Sequence, residues 1–295
     1  VWFLMKLFLD TRVQTRHDIK NAVSVPFLGE IPIDKNRKDD NKLIVVDGSG
    51  HMYPEAFRIL RTNMAFMKKK EQQMQVITFV SFNESAGKTF VSSNLAVSLA
   101  FLGKKTLIVG MDIRKPGLNR TFGFSTRSYG ITNYLSNPDE VNLLDMIMES
   151  EISANLHILP GGSVPPNPTE LVSRSIFDET IELLKEHYDY IILDTAPIGL
   201  VTDTSIIAHV ADVGVVVCRA DYTPKAAYQN INNLQKDQIF SKLATIVNDI
   251  NMDLRKNSYA YNYGRKYGYG YGRKYGYGYG YGYGYEEENK KDGKK

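Results

Sequence analysis

The feature that most constrains this chain is the run Val76-Ile77-Thr78-Phe79-Val80-Ser81, followed by Phe82-Asn83-Glu84-Ser85-Ala86-Gly87-Lys88-Thr89 and then the apolar stretch Phe90–Leu102. A short β-branched and aromatic run reads as a buried strand, and the longer apolar stretch as a helix. A Gly-Lys-Thr turn between the two is a phosphate-binding loop, because its backbone amides and the helix N-terminus concentrate positive potential on phosphate oxygens. Lys88 is placed to reach the β- and γ-phosphates and Thr89 Oγ1 to ligate Mg²⁺, with Ser85, Ala86, Gly87 and Phe90 lining the nucleotide. Phe82 stands where the full pattern calls for glycine, so position between strand and helix carries the assignment.

Further apolar runs alternate with helical stretches at Thr106–Gly110, Leu156–Leu159, Tyr190–Leu193, Val213–Cys218 and Leu243–Val247. Such alternation predicts an α/β fold, a doubly wound and mostly parallel sheet with helices on both faces. Ligands in these sheets bind at the carboxyl ends of the strands. Two of those ends carry acids. Tyr190–Leu193 runs into Asp194-Thr195-Ala196-Pro197, the position from which a carboxylate holds Mg²⁺. Thr106–Gly110 runs into Met111-Asp112-Ile113-Arg114, which brings Asp112 and Arg114 toward the same edge. Either residue alone reads equally as a loop cap or a surface charge; the convergence of three strand ends favours a nucleotide site. Before the first of these strands, Tyr53-Pro54-Glu55 opens a helix whose Phe57, Leu60, Met64 and Met67 form a core-facing stripe.

Composition changes abruptly at Ser258. Twelve of the 19 tyrosines, Tyr259, Tyr261, Tyr263, Tyr267, Tyr269, Tyr271, Tyr275, Tyr277, Tyr279, Tyr281, Tyr283 and Tyr285, alternate mainly with glycine in the last 37 residues. Glycine offers no packing surface and high backbone entropy, so this tail is expected to be disordered without a partner, or else a sticky, β-prone segment. It carries eight Lys and Arg against four Asp and Glu, which leaves the rest of the chain near neutral despite a net charge of +3. A near-neutral body lacks the basic footprint of a nucleic-acid binder. The single cysteine, Cys218, cannot pair within the chain and reads as a small core residue in a reducing compartment.

At the other end, Val1–Leu9 is apolar but much too short to span a bilayer, and Arg12, Arg16 and Lys20 follow it. This pattern predicts a juxtamembrane segment; an amphipathic helix packed on the domain is the competing reading. No signal peptide is visible. Asp34–Asn41 is too polar to bury and predicts a solvated loop.

Taken together, the motifs resemble the cytoplasmic domain of the bacterial tyrosine kinases associated with capsule and exopolysaccharide export, over nearly the whole chain. Walker A falls at Gly87-Lys88-Thr89, the second acidic motif (Asp-x-Asp-x-Arg) on Gly110–Arg114, and Walker B on Asp194–Pro197. Glu55-Ala56-Phe57-Arg58-Ile59-Leu60-Arg61 matches the family's Glu-x-x-Arg-x-x-Arg. Pro26–Pro32 and Pro165–Leu171 are also similar. The resemblance implies a P-loop NTPase fold of the deviant-Walker, MinD/ParA-like kind, with ATP and Mg²⁺ as cofactors and Lys88, Asp112 and Asp194 in catalysis. It implies Thr89, Asp112 and Asp194 around the metal, and an oligomeric ring, an octamer in the family, assembled through Glu55, Arg58 and Arg61. Asn248, after the last strand, matches an Asn that touches adenine in related ATPases. Gly110 replaces the first acid of the second motif, leaving Asp112 and Asp194 to carry its role.

The implied organisation is a juxtamembrane segment at 1–20, a linker at 21–50, a P-loop tyrosine kinase domain at 51–258 and the tyrosine-rich tail at 259–295. The implied activity is ATP-dependent phosphorylation of the tail tyrosines in trans within the ring, regulating polysaccharide synthesis and export. The implied location is the cytoplasmic face of the bacterial inner membrane. Expected partners are other copies of the chain, a membrane-embedded activator segment in the same or a separate chain, and a tyrosine phosphatase; nucleic acid is not among them. Two rival readings remain at this level. A partitioning-type ATPase switch shares the fold but predicts Lys at position 83, where this chain has Asn83. In the other, the Tyr-Gly tail is an adhesive on a nucleotide-gated scaffold.

Overall fold

The computed structural model describes residues 11–14, 18–19, 22–33, 43, 45, 52–67, 74–124, 129–199 and 202–251. The apolar start 1–10, the polar loop 34–41 and the whole Tyr-Gly tail therefore lie outside the described residues. Among the described residues, no helix is long and apolar enough to cross a membrane.

Strands β1 (Phe27–Pro32), β2 (Val76–Val80), β3 (Thr106–Met111), β4 (Met148–Ser150), β5 (Ser153–Leu159), β6 (Tyr190–Thr195), β7 (Val213–Arg219) and β8 (Leu243–Ile250) form one sheet in the order β1-β8-β7-β2-β6-β3-β5-β4. All neighbours are parallel except β4, which pairs antiparallel with β5 at the edge. The expected strands are all present; β2 stops one residue short of the Val76–Ser81 run, and the other five extend a little beyond theirs. Two strands were not legible in the sequence. β4 is short and only partly buried, and β1 lies inside the stretch expected to be a linker. Its Gly29, Glu30 and Pro32 break the apolar pattern, a composition tolerated because β1 is an edge strand.

Among the described residues, the α-helices are α1 (Met52–Phe66), α2 (Lys88–Ala100), α3 (Leu118–Thr121), α4 (Ile131–Ser136), α5 (Pro168–Val172), α6 (Ser175–His187), α7 (Asp203–Ile207) and α8 (Ala227–Lys236). Alternation along the strands sends successive side chains to opposite layers. Ile77, Phe79, Val213, Val215 and Val217 face α1 and α2, where they meet Phe57, Leu60, Met64, Phe90 and Leu95. The α1 stripe is thus core-facing as expected, with Phe57 edge-on to Phe90 at 6.1 Å between ring centroids. On the opposite face Leu107, Val109, Ile191 and Leu193 pack under α4, α6 and α7. Val216 and Cys218 pack under α8, together with Val13, Ile19, Val23 and Val25 of the N-terminal segment. Cys218 is fully buried and its thiol is pushed up to about 12 by burial, so it is an inert core group.

This topology decides which strand ends lie together. β2, β6 and β3 are consecutive, so the phosphate loop after β2, Asp194 at the end of β6 and Asp112 just past β3 emerge side by side.

Candidate nucleotide site

The loop between β2 and α2 closes with Gly87 at φ 93°, the N-cap position of α2. Glycine is needed there twice over. The left-handed backbone disfavours a side chain, and a Cβ would lie 2.2 Å from Asn248 Nδ2. Asn248, 1% exposed at the end of β8, donates that amide to the Ala86 carbonyl at 3.2 Å. In this structure it seats the underside of the phosphate loop. Its Oδ1 accepts no hydrogen bond among the described residues.

Lys88 begins α2 and is buried, its Nζ donating to Ser81 Oγ at 3.0 Å. Burial lowers its pKa, opposed by the charges of Asp194, Asp112 and Glu84. Thr89 Oγ1 donates to Asp194 Oδ2 at 2.7 Å. Asp194 is 2% exposed, and burial lifts its carboxyl to about 6 against the Thr89 hydrogen bond and the Lys88 charge. Its second oxygen, Oδ1, accepts no hydrogen bond among the described residues. A buried carboxylate oxygen without a donor beside a threonine hydroxyl fits an oxygen-ligated Mg²⁺, which binds through one or two carboxylates plus substrate phosphates.

Asp112 follows β3, its backbone N–H donating to the Asp194 carbonyl at 2.8 Å and its Oδ1 accepting from Lys115 N at 3.0 Å. Burial raises its pKa, partly offset by backbone hydrogen bonds and Lys88. The structure thus brings Lys88, Thr89, Asp112 and Asp194 together. Two other expected residues face elsewhere. The Phe90 ring lies in the core against Phe57, leaving only its backbone near the phosphate turn. Arg114 forms a fork on Asp203, Nε to Oδ2 at 2.6 Å and Nη2 to Oδ1 at 3.0 Å, and reaches Thr169 Oγ1 at 3.2 Å. Glu55 and Arg58 pair on the outside of α1 at 2.9 Å, whereas Arg61 turns inward to the Ser98 carbonyl on α2.

Several supporting residues escaped the sequence reading. Ser81 holds Lys88. Lys115 joins Glu84 at 2.6 Å, tying the loop after β3 to the phosphate loop. Gly199 lies so close to the loop that a Cβ would come 2.8 Å from the Phe82 carbonyl. That contact follows from the Asp194–Pro197 turn, whose Ile198 N–H donates to Ser81 O at 2.8 Å. A glycine two residues past the Ala-Pro was the available signal.

A family model described as an AAA domain matches residues 74–251. The tyrosine-protein kinase CpsD of Streptococcus agalactiae is 38% identical over 213 residues, covering 72% of this chain and 90% of that protein. The putative tyrosine-protein kinase CapB of Staphylococcus aureus is 32% identical over 230 residues, covering 78% and 98% respectively. Among solved structures, the chimerical protein CapA2B2 superposes with a TM-score of 0.70 at 29% identity, over 80% of this chain and all of that one.

Proposed function

This chain belongs to the bacterial tyrosine-protein kinase family, and we propose on that premise that it transfers the γ-phosphoryl of ATP to tyrosines of its own Tyr259–Tyr285 segment. The observation that carries the reading is the Thr89–Asp194 hydrogen bond at 2.7 Å, set between the buried Lys88 and Asp112 at the mouth of a phosphate loop. This is an arrangement for aligning and neutralising a phosphoryl group rather than for covalent catalysis.

In the proposed reaction a tyrosine Oη bonds to the γ-phosphorus, the bond from that phosphorus to the bridging oxygen breaks, and ADP leaves with the electron pair. Lys88, together with the amides of Ser85–Thr89, holds the β- and γ-phosphates. Thr89 and Asp194 would hold Mg²⁺, which spreads the charge of the phosphate oxygens when bound. Asp112 takes the phenolic proton, because it is partly exposed while Asp194 is nearly sealed. A Gly-rich segment of 27 residues, treated as a random coil, has a root-mean-square reach of roughly 30 Å, which would put a neighbouring subunit's site within range of Tyr259–Tyr285. In that assembly Glu55 and Arg58 lie on the outer face of α1, available to the next copy, while Arg61 braces α1 from within. The N-terminal segment would hold the kinase at the cytoplasmic face of the membrane beside an activator segment, and a phosphatase would reset the tail.

The test is incubation with ATP and Mg²⁺ followed by mass spectrometry of residues 259–295. Phosphotyrosine in the wild type and its loss in Lys88→Met is the expected result. ATP hydrolysis without any phosphotyrosine overturns the reading in favour of an ATPase switch.

A further inference from the structure

Two non-glycine residues in the left-handed backbone region flank the site: Ser85 at φ 57° and Asp249 at φ 59°. Such residues are strained and persist only where the surroundings over-determine them. One side chain grips both. Arg219, the last residue of β7, donates Nη1 to the Ser85 carbonyl at 2.9 Å and places Nε 2.8 Å from Asp249 Oδ2. Its guanidinium also lies 5.6 Å from the Tyr222 ring centroid, and its own turn is closed by Thr223, which accepts from Arg219 N at 2.8 Å and donates to Arg219 O at 2.9 Å.

Arg219 and Asn248 are partners across the β7–β8 ladder. They take consecutive carbonyls of the phosphate loop, Ser85 by Arg219 and Ala86 by Asn248. A peptide whose carbonyl is pulled outward turns the next N–H inward, so this pair of bonds aims the loop's amides at the phosphates. We propose that Arg219 is a positioning residue for the nucleotide, holding Ser85 in its left-handed conformation so that the phosphate loop is formed before the β-phosphate arrives. The proposal rests on the nucleotide reading above.

Arg219→Lys is the informative variant. It keeps a cation opposite the buried Asp249 but has no planar fork to bridge two acceptors. The expected result is an unchanged melting temperature, a Kd for MgADP and a KM for ATP raised about tenfold, and kcat at saturating ATP within about twofold of wild type. A merely structural role would instead remove active protein, lowering kcat at constant KM. Glycine adopts the left-handed region freely, so Arg219→Lys costs less MgADP affinity in a Ser85→Gly background than in the wild type. Unchanged MgADP affinity in Arg219→Lys overturns the proposal, as does a kcat loss alone. Equal losses in the two backgrounds also overturn it, by assigning the effect to Asp249. A wild-type protein that does not bind MgADP overturns the nucleotide reading itself.

Discussion

Asp194 carries the largest conflict between stability and function at the scale of single residues. Its carboxyl titrates at about 6, above the ordinary 3.8, because burial disfavours its charge. Between those values the folded protein binds a proton more readily than the unfolded chain, so stability falls as pH rises through the window and stays reduced above it. Asp194→Asn keeps the shape and the acceptor for Thr89 while removing the charge. Nucleotide-free Asp194→Asn should therefore be more stable than wild type at about pH 7.5, by on the order of 2 kcal/mol, with the difference closing below about pH 4. Thermal melts at the two pH values measure this, and the variant should not transfer phosphate. Gly110 shows the opposite kind of constraint. A Cβ there would lie 2.9 Å from Gly161 N, and one on Gly161 would lie 3.0 Å from Gly110 O. The strand and the loop meet backbone to backbone, so the space that an acid at 110 would need is filled. Lys88, Thr89 and Asp194 were legible because each sits in a short motif next to a strand. The packing of Gly110 was not, because Gly161 is remote in sequence.

At the scale of elements, the surprise is Arg114. Strand-end position placed it at the nucleotide, but its fork on Asp203 joins the loop after β3 to the start of α7, and Thr169 of α5 donates to the same carboxylate. Burial pushes Asp203 up, yet these hydrogen bonds and the Arg114 charge hold it below its ordinary pKa. The Pro165–Leu171 motif thus has a physical role, since it delivers Thr169 to this junction. Removing Arg114 leaves the 2%-exposed Asp203 side chain without its cation. Arg114→Ala should cost about 2 kcal/mol. Arg58→Ala, which breaks an exposed pair three residues apart on α1, should cost under about 0.5 kcal/mol. Urea denaturation of the two variants compares them directly. Neither Asp203 nor Thr169 could be matched to Arg114 from sequence, because the ion pair spans 89 positions.

At the scale of the whole molecule, the tail and the folded body are electrostatically distinct. The last 37 residues carry an excess of four positive charges in the unmodified chain. Each phosphate adds about −1.5 to −2, so three of them make the tail negative. Charging of this kind should weaken contacts between copies. Size-exclusion chromatography with light scattering, before and after ATP treatment, should show a smaller assembly once the tail is phosphorylated; an unchanged mass would refute this.

The sequence alone determined that strands alternate with helices, that Gly87-Lys88-Thr89 forms a phosphate turn and that Asp112 and Asp194 end strands, because periodicity and turn chemistry act over a few residues. Only the tertiary structure decided that β2, β6 and β3 are adjacent, that the segment before α1 supplies an edge strand, and that Asn248 and Arg219 grip the underside of the phosphate loop. Those facts depend on which strands pair. Pairing is set by packing between residues far apart in the chain, where no local pattern records it.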